Sequence, residues 1–171
     1  NAFAHLAAEQ AMDAAAKADN EFARGIAIGP LHGIPVTIKD LEPVRGMPFE
    51  GGTYLRHGDI APADNVVVSR LRHAGATIIG KTTTPEFGWK GVSQSPLTGI
   101  THNPWKLGLN AGASSSGAGV GAAAGYGPLH QGSDGAGSIR MPAHFCGVFG
   151  LKPTYGRVPQ SPMAPSDNTV H

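Results

Sequence analysis

Apolar residues recur at helical spacing from the start of the chain. Phe3, Leu6, Ala7, Ala14 and Ala18 share one side of an Ala-rich run without Gly or Pro, which predicts a helix over 3–22 with Arg24-Gly25 as its stop. A stripe this thin needs a close packing partner. The period then changes. Gly33–Lys39 is short, apolar and β-branched, the pattern of a buried strand. Residues 41–62 are broken by Pro and Gly and read as loop. Asp64 or Asn65 is placed to cap a helix that runs to about His73, with Val67, Leu71 and Ala74 on one side and Gly75 behind it. Thr77-Ile78-Ile79 is a second strand. The order strand–helix–strand predicts an α/β fold, a mixed β-sheet flanked by helices with at least some parallel pairs.

Beyond Thr82 the periodicity fades. Residues 82–113 read as irregular, with a weak helical signal near Pro85–Val92. Ser114–Gly125 is rich in small residues and predicts a helix in close backbone contact. Gly127–Gly132 fits a short strand, Ser138–Phe145 a helical turn limited by Pro142, and Val148–Leu151 a third short apolar run. Trp89 and Trp105 are expected in the core. No repeat or linker divides the chain, so 1–171 reads as a single segment.

Charge and composition narrow the function classes. The net charge is +1, which excludes a strongly basic nucleic-acid binder on bulk electrostatics. With 40% hydrophobic and 15% charged residues, the chain is too apolar for disorder. The 25 glycines and 14 prolines follow no fixed period, and the excess concentrates after Gly99, as in a site built from backbone. The single cysteine, Cys146, excludes an intrachain disulfide framework and is expected to be a small buried hydrophobe. No apolar stretch approaches the roughly 18 residues of a membrane span, and the first residues carry no signal-peptide pattern. A cytoplasmic location without membrane association is therefore expected. The start at Asn1 and the end at His171 are expected to be those of a piece of a longer protein.

Two motifs match chemistry that the surrounding sequence rejects. Gly75–Thr82 satisfies the phosphate-loop pattern Gly-x4-Gly-Lys-Thr, but its intervening residues read as the strand itself, and Pro85 follows too soon for a long helix. Lys81 is then a residue at a strand end. The eight histidines form no helical metal pair, and Cys146 has no cysteine at ligand spacing, so no metal is expected.

The chemistry lies in two serine-bearing segments, Gly112–Gly117 and Gly132–Arg140. A nucleophilic serine needs a constrained, exposed turn, a base, and donors for a developing oxyanion. Gly135-Ala136-Gly137, ahead of Ser138, can supply backbone N–H donors. The base need not be histidine: a desolvated lysine gives up its proton more readily, and Lys39 ends an apolar strand. Ser114 is the natural relay between them. Ser115, Ser116 and Ser133 read as groups that bond backbone or support the reacting residues from behind. Asp134 reads as a partner of nearby N–H groups or of Arg140, and Lys39-Asp40 as an ordinary ion pair if Lys39 is not the base.

These segments resemble the amidase signature family. Leu31–Asp40 resembles its lysine segment, Ala74–Phe87 the stretch that follows, and Asn103-Pro104-Trp105 the lead into the Gly/Ser signature. Ser133–Ala143 resembles the nucleophile segment, and Phe145–Thr154 closes the signature. The resemblance covers about Pro30 to Val158, a core of 30–158 behind the helix at 3–22. It implies an amidase-signature-like core, incomplete in this chain, and a Ser–cis-Ser–Lys triad: Lys39 as base, Ser114 as bridging cis-serine, Ser138 as nucleophile, with N–H groups of Gly135, Ala136 and Gly137 at the oxyanion. Ala113, Ser116 and Ala136 stand where the family commonly has glycine.

The implied reaction is hydrolysis of a small-molecule carboxylic amide through a serine acyl-enzyme, with no cofactor. The resemblance extends to the glutamine-hydrolysing subunit of tRNA-dependent amidotransferases, in which case a nucleic-acid partner would be expected. Met141 stands where that branch typically carries Gln, which favours a stand-alone amidase. A non-catalytic scaffold that keeps the fold is the alternative of a different class. The sequence leaves the oligomeric state and the particular amide open.

Overall fold

The computed structural model describes residues 1–161; the last part of the 1–171 segment, residues 162–171, lies outside the described residues. The elements run β1 (Phe3–Leu6), α1 (Ala8–Ala23), β2 (Pro35–Lys39), α2 (Val66–His73), β3 (Thr77–Thr82), β4 (Gln94–Ser95), β5 (Gly99–Ile100), α3 (Ser116–Ala123), β6 (Leu129–His130) and α4 (Arg140–Cys146). Four strands form a mixed sheet in the order β1-β3-β2-β6. β2 lies parallel to β3 and to β6, and β1 runs antiparallel to β3. β4 and β5 make a separate hairpin. The expected α/β class and mixed sheet are therefore observed. No helix among the described residues is long and apolar enough to cross a membrane.

The helix expected over 3–22 is corrected at its start. Phe3–Leu6 is a strand, and α1 begins only at Ala8. Local propensity is overridden by a non-local ladder: Phe3 pairs with Thr82 and Leu6 with Gly80, Thr83 N–H donates to the Ala2 carbonyl, and Ala7 N–H donates to the Ile79 carbonyl. Gly80 permits this approach, because a Cβ there would collide with the His5 carbonyl oxygen. The cap of α2 is settled in favour of Asn65, whose Oδ1 accepts from Val68 N–H at 2.8 Å.

The two faces of β2 diverge in chemistry. Val36 and Ile38 join Ile78, Val44, Met47 and Val68 in a buried apolar cluster. Each such side chain contributes roughly 1.5–3 kcal/mol by leaving water. Thr37 and Lys39, one residue out of phase, face the opposite side, toward α3 and β6. The register between β2 and β3 shifts by one residue: Val36 pairs with Ile78, but Thr37 pairs with Gly80 and Ile38 with Lys81. Ile78 and Lys81 are three residues apart, yet the shift sets both on the Val36–Ile38 face.

Trp89 and Trp105 correct the expectation of core aromatics, being 83% and 72% exposed. Trp105 is fixed by its edge, its Nε1–H donating to the Cys146 carbonyl at 2.7 Å. Cys146 is buried, its thiol donates to the Ala111 carbonyl at 3.4 Å, and burial pushes its pKa up to about 11. It is a packing residue, not a nucleophile.

Candidate active site

The site forms where the C-terminal end of β2 meets the loop ahead of α3. Lys39 is the last residue of β2 and is 0% exposed. Its Nζ donates to Ser114 Oγ at 2.7 Å and to Ser133 Oγ at 3.0 Å. The first contact joins two of the residues singled out from sequence; the second adds Ser133, in the supporting place behind the reacting groups that is one of its two expected roles. Burial pulls the Lys39 pKa down from 10.5 to about 7, against the opposing pull of Glu42 and Asp134. Desolvation disfavours the ammonium, and carboxylates at this range do not restore it.

Gln131 is the residue that sequence reading missed. β6 contains only Leu129–His130 and is too short to pair the backbone of Lys39. The Gln131 side chain extends the ladder instead, its Oε1 accepting from Lys39 N–H at 3.0 Å while its own backbone N–H donates to the Thr37 carbonyl at 2.9 Å. A polar residue just past a short strand is the only trace this leaves in the sequence. Beside it, His130 Nε2–H donates to the Gly127 carbonyl at 3.0 Å, so Nδ1 accepts from the Thr37 hydroxyl at 2.8 Å. Burial lowers the His130 pKa, consistent with a neutral ring in both contacts.

Ser114 sits two residues before α3, and the Ala113–Ser114 peptide is cis. The helix that follows comes close to its neighbours because its residues are small. A Cβ at Gly117 would collide with the Ala2 carbonyl and with Thr83. Ser115 then ties the two serine segments together. Its N–H donates to the Ser138 carbonyl at 3.0 Å, its Oγ donates to the Ser133 carbonyl at 3.2 Å, and the same Oγ accepts from Ser133 N–H at 3.3 Å. Ser116 Oγ donates to the Thr83 carbonyl at 3.3 Å. Ser115 and Ser116 thus act on backbone, as their sequence context suggests.

The turn carrying Ser138 is wound around Asp134. Asp134 Oδ1 accepts from Gly137 N–H at 2.6 Å, and Oδ2 accepts from the amides of Ile139 and Arg140, each at 3.2 Å. Arg140 closes on the same carboxylate with Nε and Nη2, each at 2.9 Å. Burial alone would raise the Asp134 pKa, but the Arg140 guanidinium and these N–H donors hold it well below the usual carboxylate range. Both expected kinds of partner, N–H groups and Arg140, are present together.

This winding alters one expectation. Gly137 N–H, expected among the oxyanion donors, is committed to Asp134. Among the described residues, the N–H groups of Gly135, Ala136 and Ser138 meet no hydrogen-bond acceptor. Ala136 does not have positive φ, so alanine fits where the family commonly has glycine. Ser138 itself is half-buried, one step ahead of the turn into α4.

The phosphate-loop match is excluded on geometry. Its residues Thr77–Thr82 are β3, and Lys81 is fully buried within it. A cradle needs those residues in a loop with their N–H groups free. Lys39 and Asp40 do not pair with each other either. Asp40 Oδ1 accepts instead from Lys81 Nζ at 2.9 Å.

A buried lysine on a buried serine, linked through Ser115 N–H to the Ser138 turn with its open N–H groups, is an arrangement suited to acyl transfer, and among the described residues no hydrogen bond joins the Ser138 hydroxyl to Ser114 or Lys39. The model of the family described as Amidase matches residues 1–171. An acylamidase of Rhodococcus erythropolis is 51% identical over 164 residues, which are 96% of this chain and 34% of that protein. A subunit of the glutamyl-tRNA(Gln) amidotransferase of Rhodopirellula baltica is 46% identical over 158 residues, which are 92% of this chain and 32% of that protein. A solved crystal structure of an amidase superposes with a TM-score of 0.88 at 42% identity, over 94% of this chain and 37% of that one. The chain spans about a third of the length of the curated relatives it matches.

Proposed function

The chain belongs to the amidase family, and from that premise we propose that it carries the catalytic core of a serine amidohydrolase in which Ser138 is the nucleophile, Ser114 the relay and Lys39 the base. The observation that supports this most is the 2.7 Å contact between Lys39 Nζ and Ser114 Oγ inside a fully buried setting. A neutral amine keeps one N–H on Ser133 and turns its lone pair to the Ser114 hydroxyl. Ser114 then gives its proton to Lys39 and takes the proton of Ser138 as the Ser138 oxygen attacks the amide carbonyl. The new C–O bond leaves negative charge on the former carbonyl oxygen, which the open amides of Gly135, Ala136 and Ser138 receive. Collapse breaks the C–N bond, and the proton returns along the relay to the leaving amine. Water attacks the acyl-enzyme by the same route and releases the acid.

The substrate class is a small-molecule carboxylic amide. A second reading, the glutamine-hydrolysing subunit of a tRNA-dependent amidotransferase, is favoured by the likeness to the Rhodopirellula baltica protein. Met141 favours the first. Glutaminase activity measured against hydrolysis of aryl and aliphatic amides separates the two.

Fluorophosphonate labelling of the full natural chain, with the adduct mapped by mass spectrometry, tests the triad. The expected result is an adduct on Ser138 that is lost in Lys39→Ala, at a rate that rises with pH through about 7. A folded chain that takes no adduct on Ser138 sinks the catalytic reading and leaves the scaffold.

A further inference from the structure

The amine of Lys39 stands between two serines from different parts of the chain. Ser114 lies ahead of α3, and Ser133 lies in the segment that leaves β6. The Ser115 hydroxyl bonds both the carbonyl and the N–H of Ser133, so Ser133 is tied to the start of α3. Lys39, however, arrives on β2. A hydroxyl carried by one element meets an amine carried by another only if the two main chains are registered to within a fraction of a hydrogen-bond length.

Gln131 makes that connection through the two ends of one planar amide. Oε1 accepts from Lys39 N–H at 3.0 Å, and Nε2–H donates to the Gly132 carbonyl at 2.8 Å. Both contacts demand the same orientation of the amide, since an N–H only donates and a carbonyl only accepts. The Gln131 backbone N–H adds a third bond, to the Thr37 carbonyl at 2.9 Å. Gly132 is confined from its other side as well: a Cβ there would stand 2.8 Å from Ser115 Oγ. The Gly132 carbonyl belongs to the peptide whose nitrogen is that of Ser133. One side-chain amide therefore grips the main chain of Lys39 and the peptide that leads into Ser133, and the Ser133 hydroxyl lies 3.0 Å from Lys39 Nζ.

We propose that Gln131 is a positioning residue for Lys39: by bracing the Lys39 main chain against the Gly132–Ser133 peptide, it holds the Ser133 hydroxyl on Lys39 Nζ and so keeps the amine lone pair aimed at Ser114. The proposal rests on the reading of Lys39 as the base. A neutral amine has two N–H groups and one lone pair. With one N–H fixed on Ser133, rotation about the last side-chain bond is arrested and the lone pair has a direction. With Ser133 displaced, the amine turns and presents N–H groups to Ser114 as well as the lone pair. Gln131 touches no reacting atom in this scheme, and its effect on the reaction passes through Ser133.

The test is a double-mutant cycle between Gln131 and Ser133, read by fluorophosphonate labelling at Ser138 in the full natural chain, with folding followed by circular dichroism. Rates are compared on the alkaline plateau of each variant, so that a displaced acid limb does not enter. Gln131→Met removes both amide contacts, and Gln131→Glu keeps the acceptor for Lys39 N–H while losing the donor to Gly132. Each is expected to lower the maximal labelling rate about tenfold and to leave the half-saturating reagent concentration unchanged, as is Ser133→Ala. Gln131→Met with Ser133→Ala is expected to stay near that tenfold loss, whereas independent effects would multiply to about a hundredfold. Either Gln131 variant that folds decides the matter. A wild-type maximal rate in a folded Gln131 variant or in Ser133→Ala overturns the proposal, and so does a multiplied loss in the double variant. A change confined to the half-saturating concentration overturns it as well. Two Gln131 variants that both fail to fold make the residue structural and overturn it too. Lys39→Met is run in parallel. If it keeps the labelling, the reading of Lys39 as base fails; if it loses labelling while the Gln131 variants label at the wild-type rate, only the role of Gln131 fails.

Discussion

Ser115 donates its backbone N–H to the carbonyl of Ser138 at 3.0 Å, so the residue after the proposed relay, Ser114, is bonded to the proposed nucleophile residue. Its hydroxyl bonds both the carbonyl and the N–H of Ser133, which in turn accepts from Lys39. Ser115→Ala keeps the amide link and removes the hydroxyl. The half-buried Ser133 backbone loses a partner, at about 1 kcal/mol. The expected outcome is a urea midpoint lowered by that amount and a kcat reduced about tenfold, since small displacements of reacting groups are costly. The pH profile stays in place. A variant with unchanged kcat would show that the two serine segments hold their alignment without this hydroxyl.

Asp134 gathers five hydrogen bonds from its own turn and from Arg140. Its folded-state pKa is depressed. A group of that kind stabilises the fold above its unfolded value, near 4, and loses that contribution as pH falls below it. Asp134→Asn is expected to cost on the order of 2 kcal/mol at pH 7, a figure kept low because the Arg140 side chain is 58% exposed. Urea titrations at pH 7 and pH 3 should show the gap between variant and wild type narrowing in acid. A gap that is constant with pH would remove the charge from the explanation.

Lys39 carries the opposite linkage. Folding lowers its pKa to about 7, whereas an unfolded lysine keeps its proton to about 10.4. Between those values the unfolded chain binds more protons, so this group adds stability as pH rises through the window. Near neutrality it is a burden on the fold. Lys39→Met should abolish amide hydrolysis and still raise stability by roughly 1–2 kcal/mol at pH 7, after the lost hydrogen bonds to Ser114 and Ser133 are subtracted. That advantage should shrink toward pH 9.5. An advantage independent of pH would mean that the amine is not buried at cost.

The elements with a local cause were legible in the sequence. Asn65 heads α2 because its side chain satisfies an orphan N–H three residues on, and β2 ends at Lys39 as its apolar run does. The small-residue run from Ser114 folds as α3 over Ser116–Ala123. What could not be read has a non-local cause. Phe3–Leu6 has the pattern of helix and becomes strand because β3 offers a ladder to it across the chain. Gln131 matters because β6 stops one residue early. The candidate site follows the same division. Lys39, Ser114 and the Asp134–Arg140 pair could be named from residue types and spacing, whereas the withdrawal of Gly137 N–H and the diversion of Asp40 to Lys81 depend on side-chain geometry.

The one-residue offset between β2 and β3 acts as a change of parity. In an uninterrupted ladder, three steps from Ile78 would turn Lys81 toward Ser114 and Ser133, and two ammonium groups would compete for one small set of hydroxyls. The extra residue sorts the two lysines into separate compartments, one bonded to Asp40 and the other to Ser114 and Ser133. Shortening β3 by Ile79 would merge those compartments without touching any residue of the proposed triad.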